Sequence, residues 1–319
     1  MLSIPVLSSA AYQWTPAVTR IGWVGARTHE LRTPGPSANW LGGNGNLSPE
    51  AQQARARELA LIEWLKENGV HLSSEAGWGR AAHPLRVESA TVDDFEPSGR
   101  GLLARKGITQ GEIIVQLNTK LVLTKPAAQR ALGKCVVPDS MGEYLAIALL
   151  LMHECALADK SFWAPYIDIL PTAEEVGQSF VWSDDEMELL EGSGVYAAAR
   201  SMQQKLQREW KALEEGVLAA HPTTVEGASY ENFVWAMSML FSRAVNLKED
   251  AMLALVPYAD LLNHSPYSNC YFMCNKIPFS DEKEVTLYAD RNYAAGDQVK
   301  NTPNPPTTAP PTASPLNLR

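Results

Sequence analysis

Two short stretches carry residue types suited to holding a ligand. Ser98-Gly99-Arg100-Gly101-Leu102 places two glycines within three positions, between a turn and an apolar run. Glycine lets a backbone approach a bound molecule closely and permits positive φ. The spacing is neither G-x-G-x-x-G nor G-x-x-x-x-G-K-[ST], so it gives no support to nucleotide-phosphate binding. The second stretch is Val256-Pro257-Tyr258-Ala259-Asp260-Leu261-Leu262-Asn263-His264-Ser265. Asp260 and Asn263 can face one way while Leu261 and Leu262 anchor the segment. The Asn263 amide both donates and accepts, as an adenine edge requires. The competing reading is a helical turn whose Asn-His end faces solvent. Cys270 and Cys274 follow His264 closely, but they lack the paired C-x2-C spacing of a structural zinc site. They read as buried free thiols, and no metal site is expected.

The elements that must position these residues fall into blocks. Ser48, Pro49 and Glu50 suit a helix start, and Asn68-Gly69 suits its end, with Ala54, Leu61, Ile62 and Leu65 as the apolar face. Short apolar runs at 102–104, 113–117 and 121–123 read as strands. The segments 142–158, 184–191, 196–220 and 230–244 read as helices, with Ser183 as a start signal. Strand character returns at 254–257, 270–273 and 285–289. The fold class is therefore α+β: a β-rich fold interrupted by a helical insertion. The divisions are 1–47 leader and linker, 48–84 helical flank, 85–134 first β-rich part, 135–245 helical insertion, 246–299 second β-rich part, and 300–319 tail. The last block carries six prolines and no aromatic residue, a composition that favours disorder.

Composition sets the outer bounds. The chain has 319 residues, 45% of them hydrophobic, with a formal net charge of −9. That acidic balance disfavours non-specific nucleic-acid binding, which draws on Lys and Arg. No run approaches the ~18 apolar residues of a membrane span, so no membrane partner is expected. Four cysteines, Cys135, Cys155, Cys270 and Cys274, form no disulfide framework and suit a reducing compartment. Residues before Glu30 include Arg20 and Arg27 but no acid. This fits an organelle transit peptide as well as it fits a plain disordered terminus.

Taken in order, several motifs resemble one family. They are Ser98 to Leu102, Glu143-Tyr144-Leu145-Ala146, Phe162-Trp163-Ala164-Pro165-Tyr166-Ile167 before Leu170-Pro171, Ser242-Arg243-Ala244, Asp260 to Ser265, and Tyr293-Ala294-Ala295-Gly296-Asp297-Gln298-Val299. The series is similar to the SET-domain protein methyltransferases. Its branch is the one with a long helical insertion, which contains the Rubisco large-subunit lysine methyltransferases and the actin-histidine methyltransferase. The resemblance implies a knotted β-fold that binds S-adenosyl-L-methionine on one side and the target side chain on the other. It implies that Ser98, Gly99, Arg100 and Gly101 meet the methionine part of the cofactor, largely through backbone atoms. Asn263 and His264 would hold the adenosine part, Arg243 and Asp260 would line the pocket, and Tyr271 would flank the acceptor channel. The partner is then a protein bearing a lysine: Rubisco, aldolase, a ribosomal protein, a histone or actin, with histidine as the alternative acceptor. Chloroplast is the expected location, with cytoplasm or nucleus as the alternatives.

The physics suits that reading. Free lysine titrates at ~10.4, and only the neutral amine attacks. A dry aromatic channel disfavours the ammonium form, and alignment does most of the rest. The sequence departs from the family in three places. Ser98 stands where Glu is common, and Leu247 where a second basic residue sometimes occurs. After Val299 the family's tyrosine-bearing strand gives way to Lys300-Asn301-Thr302-Pro303, with no aromatic residue beyond Tyr293. The helical domain that usually binds the protein substrate also has no counterpart. The expected catalytic tyrosine is thus absent, and three classes stand: an active lysine methyltransferase using another tyrosine, a SET-like pseudoenzyme or binding module, and an incomplete product without stable activity.

Overall fold

Helix α1 (Pro49–Glu67) opens with proline at its first position, where the missing N–H costs nothing. Its end is fixed twice: Asn68 Nδ2 donates to Trp64 O at 2.8 Å, and Gly69 turns the chain at φ +85°. Leu61, Trp64 and Leu65 are its buried face. The computed structural model describes residues 49–76, 81–93, 96–247, 252–270, 272–280 and 282–301. The expected leader and the tail from Thr302 onward lie outside the described residues. The chain divides into two compact units, Met1–Ala54 and Arg55–Arg319. Of the first, only the opening of α1 is described; the sheets and all the other helices belong to the second.

Strands β1 (Leu85–Asp93) and β2 (Glu96–Ala104) form an antiparallel hairpin. They are followed by β3 (Ile113–Asn118) and β4 (Leu123–Thr124). The sequence suggests a strand from Leu121, but Leu121 closes a 3-10 turn. Asn118 Oδ1 accepts from Lys120 N and caps that turn, leaving two strand residues.

Helix α2 (Lys125–Leu132) precedes the expected insertion, which holds α3 (Glu143–Leu157), α4 (Ala164–Ile167), α5 (Ala173–Val176), α6 (Asp184–Glu188), α7 (Gly194–Leu213) and α8 (Tyr230–Arg243). Helix α3 is apolar all round and buried from Ala146 to Met152, as expected of a helix enclosed on every side. It packs on α2, α8 and β4. Ser183 starts α6 through a capping box with Glu186. A π-helical turn, Glu214–Leu218, continues α7.

The chain then returns to strands: β5 (Val245–Leu247), β6 (Met252–Leu255), β7 (Asn263–His264), β8 (Phe272–Lys276), β9 (Lys283–Tyr288) and β10 (Gln298–Asn301). Three sheets result among the described residues, ordered β1-β2-β10-β7, β3-β9-β8 and β4-β6-β5. Each joins strands from before the insertion with strands from after it. In the first sheet β10 runs antiparallel to β2 and parallel to β7. Lys300 and Asn301 thus belong to a paired strand, two residues beyond the boundary expected at Val299. Strand β8 begins later than expected because Cys270 N donates to Ser268 Oγ instead of a ladder. Among the described residues no helix is long and apolar enough to cross a membrane.

Candidate functional site

The site is built around β2, where the β1–β2 ladder slips. Glu88 pairs with Gly101, Thr91 with Gly99 and Val92 with Pro97, with a register shift at each step, first on β1 and then on β2 beside Gly99. Such a bulge sharpens the twist and frees backbone groups. Gly99 sits at φ +70°, which L side chains rarely adopt. Thr91 Oγ1 donates to Gly99 O at 2.8 Å and holds the distortion. Gly101 is required for a different reason. A Cβ there would lie 3.0 Å from Asn263 Nδ2, 3.0 Å from Thr91 Cγ2 and 3.1 Å from Gln298 Oε1.

Those neighbours come from the far end of the chain. Asn263 Nδ2 donates to Gln298 Oε1 at 2.7 Å and to Thr91 Oγ1 at 3.4 Å. His264, more exposed, is held at both ring nitrogens. Its Nδ1 is 2.5 Å from Asn301 Oδ1, and its Nε2 is 3.2 Å from the carbonyl of Ser242. The short parallel pairing Lys300↔Asn263 and Asn301↔His264 therefore seats both candidate residues.

A charged cluster lies at the end of α8. Arg243 Nη1 is 3.6 Å from Asp260 Oδ2 and donates to Asp260 O at 3.3 Å. The Asp260 side chain is 1% exposed. Burial pushes this carboxyl above the usual carboxylate range, and the attraction of Arg243 and Arg100 offsets that only in part. Tyr166, fully buried on α4, donates its hydroxyl to Asp260 Oδ2 at 3.0 Å. Desolvation, then the nearby Asp260 charge, raises this phenol well above its ordinary value. Arg100 donates to Ile169 O at 3.1 Å and stands 3.6 Å from Glu58 of α1. Within this cluster Arg243 Nε and Asp260 Oδ1 are buried and have no hydrogen-bond partner. Orphaned buried polar atoms are rare and mark a place where a partner belongs.

Two further tyrosine hydroxyls are committed elsewhere. Tyr258, at φ +69°, lies 3.1 Å from His83 Nε2, and desolvation raises its phenol. Tyr293 donates to Asp290 Oδ1 at 2.5 Å. The same carboxylate accepts from Cys270 Sγ at 3.3 Å and Asn269 N at 2.8 Å. Burial lifts the Cys270 thiol to about 11. Among the described residues no group of three His, Cys, Asp or Glu side chains is placed to hold a metal ion.

The structure thus brings Gly101 to Asn263, links Gly99 to Asn263 through Thr91, and brings Arg100 to the Arg243–Asp260 pair, with His264 one residue along β7. Ser98 lies in β2, where only its backbone is described, and Tyr271 lies outside the described residues. The sequence pattern assigns no role to Tyr166, Thr91, Gln298 or Asn301. Tyr166 had a signal, a phenol within an apolar run that needs a buried acceptor. Asn301 had one too, at a buried position of a strand whose neighbour Val299 is apolar.

The arrangement is a candidate ligand site on an irregular strand pair, next to a parallel strand pair and a helical insertion. Comparison with known proteins gives the class: the SET domain profile matches residues 99–302, and the chain belongs to that family. It is 29% identical over 210 residues to the Nicotiana tabacum ribulose-1,5 bisphosphate carboxylase/oxygenase large subunit N-methyltransferase, covering 64% of this chain and 42% of that protein. It is 26% identical to the Mus musculus actin-histidine N-methyltransferase, covering 75% of this chain and 38% of that protein. A solved structure of Rubisco LSMT bound to AdoMet superposes with a TM-score of 0.61 at 25% identity, covering 81% of this chain and 53% of that one. The chain spans less than half the length of the two relatives.

Proposed function

We propose that this chain is an S-adenosyl-L-methionine-dependent protein methyltransferase whose acceptor is a lysine side chain. The unpartnered pair in the buried cluster carries the reading. Arg243 Nε is an open donor and Asp260 Oδ1 an open acceptor. Together they complement the carboxylate and ammonium of an α-amino acid, which is the free end of S-adenosylmethionine. Gly99 precedes Arg100 in β2 and Asn263 follows Asp260 by three residues, so both are candidates for the rest of the cofactor. When bound, the cofactor supplies a sulfonium methyl group. The chain's own residues hold and orient it. Arg243 fixes the carboxylate, Asp260 the ammonium, and the packed insertion excludes the water that would keep a lysine charged.

The relatives' names support a protein acceptor. Rubisco and a chloroplast location come first. Aldolase, ribosomal proteins, histones and actin follow, with histidine as the alternative acceptor. A second reading, a SET-like module that binds the cofactor but transfers slowly, is favoured by one observation. The hydroxyls of Tyr166, Tyr258 and Tyr293 are engaged by Asp260, His83 and Asp290. Calorimetry with S-adenosylmethionine tests the common core of both readings, and absence of binding overturns both. A radiolabelled methyl-transfer assay on the acceptors then separates them, comparing this chain with one whose β10 continues into a tyrosine-bearing strand. Slow transfer restored by the added strand supports the module reading. Equal turnover by both supports an active enzyme that uses another tyrosine.

A further inference from the structure

We infer that Tyr166 is a positioning residue for the pocket, setting through its hydroxyl the orientation and charge of Asp260 and, through Asp260, the aim of the Arg243 guanidinium. The inference rests on the proposed cofactor reading for what the pocket holds, but its geometry stands alone. Tyr166 is wholly enclosed, and its hydroxyl is 3.0 Å from Asp260 Oδ2. That same oxygen faces Arg243 Nη1 at 3.6 Å. Oδ2 is thus the shared anchor of phenol and guanidinium, while Oδ1 and Arg243 Nε stay buried without a hydrogen-bond partner. A carboxylate anchored at one oxygen has its second oxygen fixed in direction, so the hydroxyl decides where Oδ1 points.

The link also joins two parts of the molecule. Tyr166 sits on α4 of the insertion, whereas Asp260 lies in the 3-10 turn before β7. The charged groups facing Asp260 are Arg243 from α8 and Arg100 from β2, with Glu58 of α1 beyond Arg100. Both arginines favour the carboxylate, as does the phenol hydrogen bond, and all three work against the burial that favours the protonated form. Removing the phenol hydroxyl takes away one of three supports for the charged form. A protonated Asp260 would release Arg243 and would no longer hold an ammonium group.

The test uses the full chain and does not depend on the cofactor. Carboxyl 13C NMR follows the Asp260 titration, assigned by the signal lost in Asp260→Asn. In Tyr166→Phe the midpoint should rise by roughly one pH unit, the scale of one hydrogen bond to a charged group. Incorporating 3-fluorotyrosine, a stronger donor that preserves the packing, should move the midpoint the opposite way and serves if Tyr166→Phe does not fold. Calorimetry with S-adenosylmethionine should show roughly 3- to 10-fold weaker binding in Tyr166→Phe at neutral pH, a loss that deepens as pH falls. An Asp260 midpoint unmoved by either change overturns the inference, and Tyr166 then only fills space. A shifted midpoint in a chain that binds no S-adenosylmethionine upholds the positioning role and overturns the cofactor reading instead.

Discussion

Asn263 Nδ2 donates to Gln298 Oε1 at 2.7 Å, bridging β7 and β10 beside the backbone pairing of Asn263 with Lys300. The bridge also screens Gly101, whose backbone passes directly beneath it. Replacing Asn263 by Ala leaves Gln298 Oε1 without that donor, a cost of about 1–3 kcal/mol. We expect that loss in both denaturant unfolding and S-adenosylmethionine affinity. Unchanged affinity in Asn263→Ala would remove Asn263 from the site.

The two glycines of β2 should respond differently. Gly101→Ala puts a Cβ within 3.1 Å of Asn263, Thr91 and Gln298 and forces the β2–β10–β7 junction apart. Overpacking of this kind costs about 1–3 kcal/mol, and cofactor affinity should fall with it. Gly99→Ala meets nothing within 4 Å but must keep φ +70°, a backbone penalty of about 1–2 kcal/mol. Thermal unfolding with calorimetry on both variants should show lost affinity mainly in Gly101→Ala.

His83 gives the fold an acid-sensitive point. Desolvation, with nearby His71, Arg105 and Lys106, lowers its pKa from 6.5 to about 4. Between these values the unfolded chain binds a proton that the folded chain refuses, so stability is full above pH 6.5 and falls as pH drops toward 4. The lost contribution is on the order of 3 kcal/mol. Urea unfolding from pH 7 to 4 should show the decline, and His83→Gln should flatten that part of the curve.

Thiol chemistry should divide the four cysteines evenly. Cys135 and Cys155 are exposed, whereas Cys270 and Cys274 are buried. Burial and Asp290 also keep Cys270 protonated, at about 11. Iodoacetamide at pH 8 followed by peptide mass spectrometry should label the first two in the native protein. All four should react only after unfolding.

These sites differ in how far the sequence disclosed them. Ser183 with Glu186 and the Pro49 start of α1 are local signals, satisfied within a turn, and each marks a helix start where expected. The apolar run of α3 announces burial by composition alone. Leu121 misleads because a two-residue hydrogen bond from Lys120 to Asn118 outweighs its apolar strand pattern. The contacts that define the site link residues far apart in sequence: 94 residues between Tyr166 and Asp260, 172 between Thr91 and Asn263. No periodicity encodes such partners. The glycines and the Asn-His pair stand out as candidates by residue type, whereas the hydroxyl that meets Asp260 is visible only in the folded chain.

The sheet order β1-β2-β10-β7 has a consequence for how the molecule comes into being. During synthesis the β1–β2 hairpin emerges early, while β10 follows roughly 200 residues later, about 10–40 s at ~5–20 residues per second. Throughout that wait the edge of β2 that will pair with β10 is open along the apolar Leu102 and Leu103. An open edge of this kind invites pairing with other chains. The ribosome-bound intermediate is therefore the aggregation-prone form, and holding chaperones should act on it before β10 arrives.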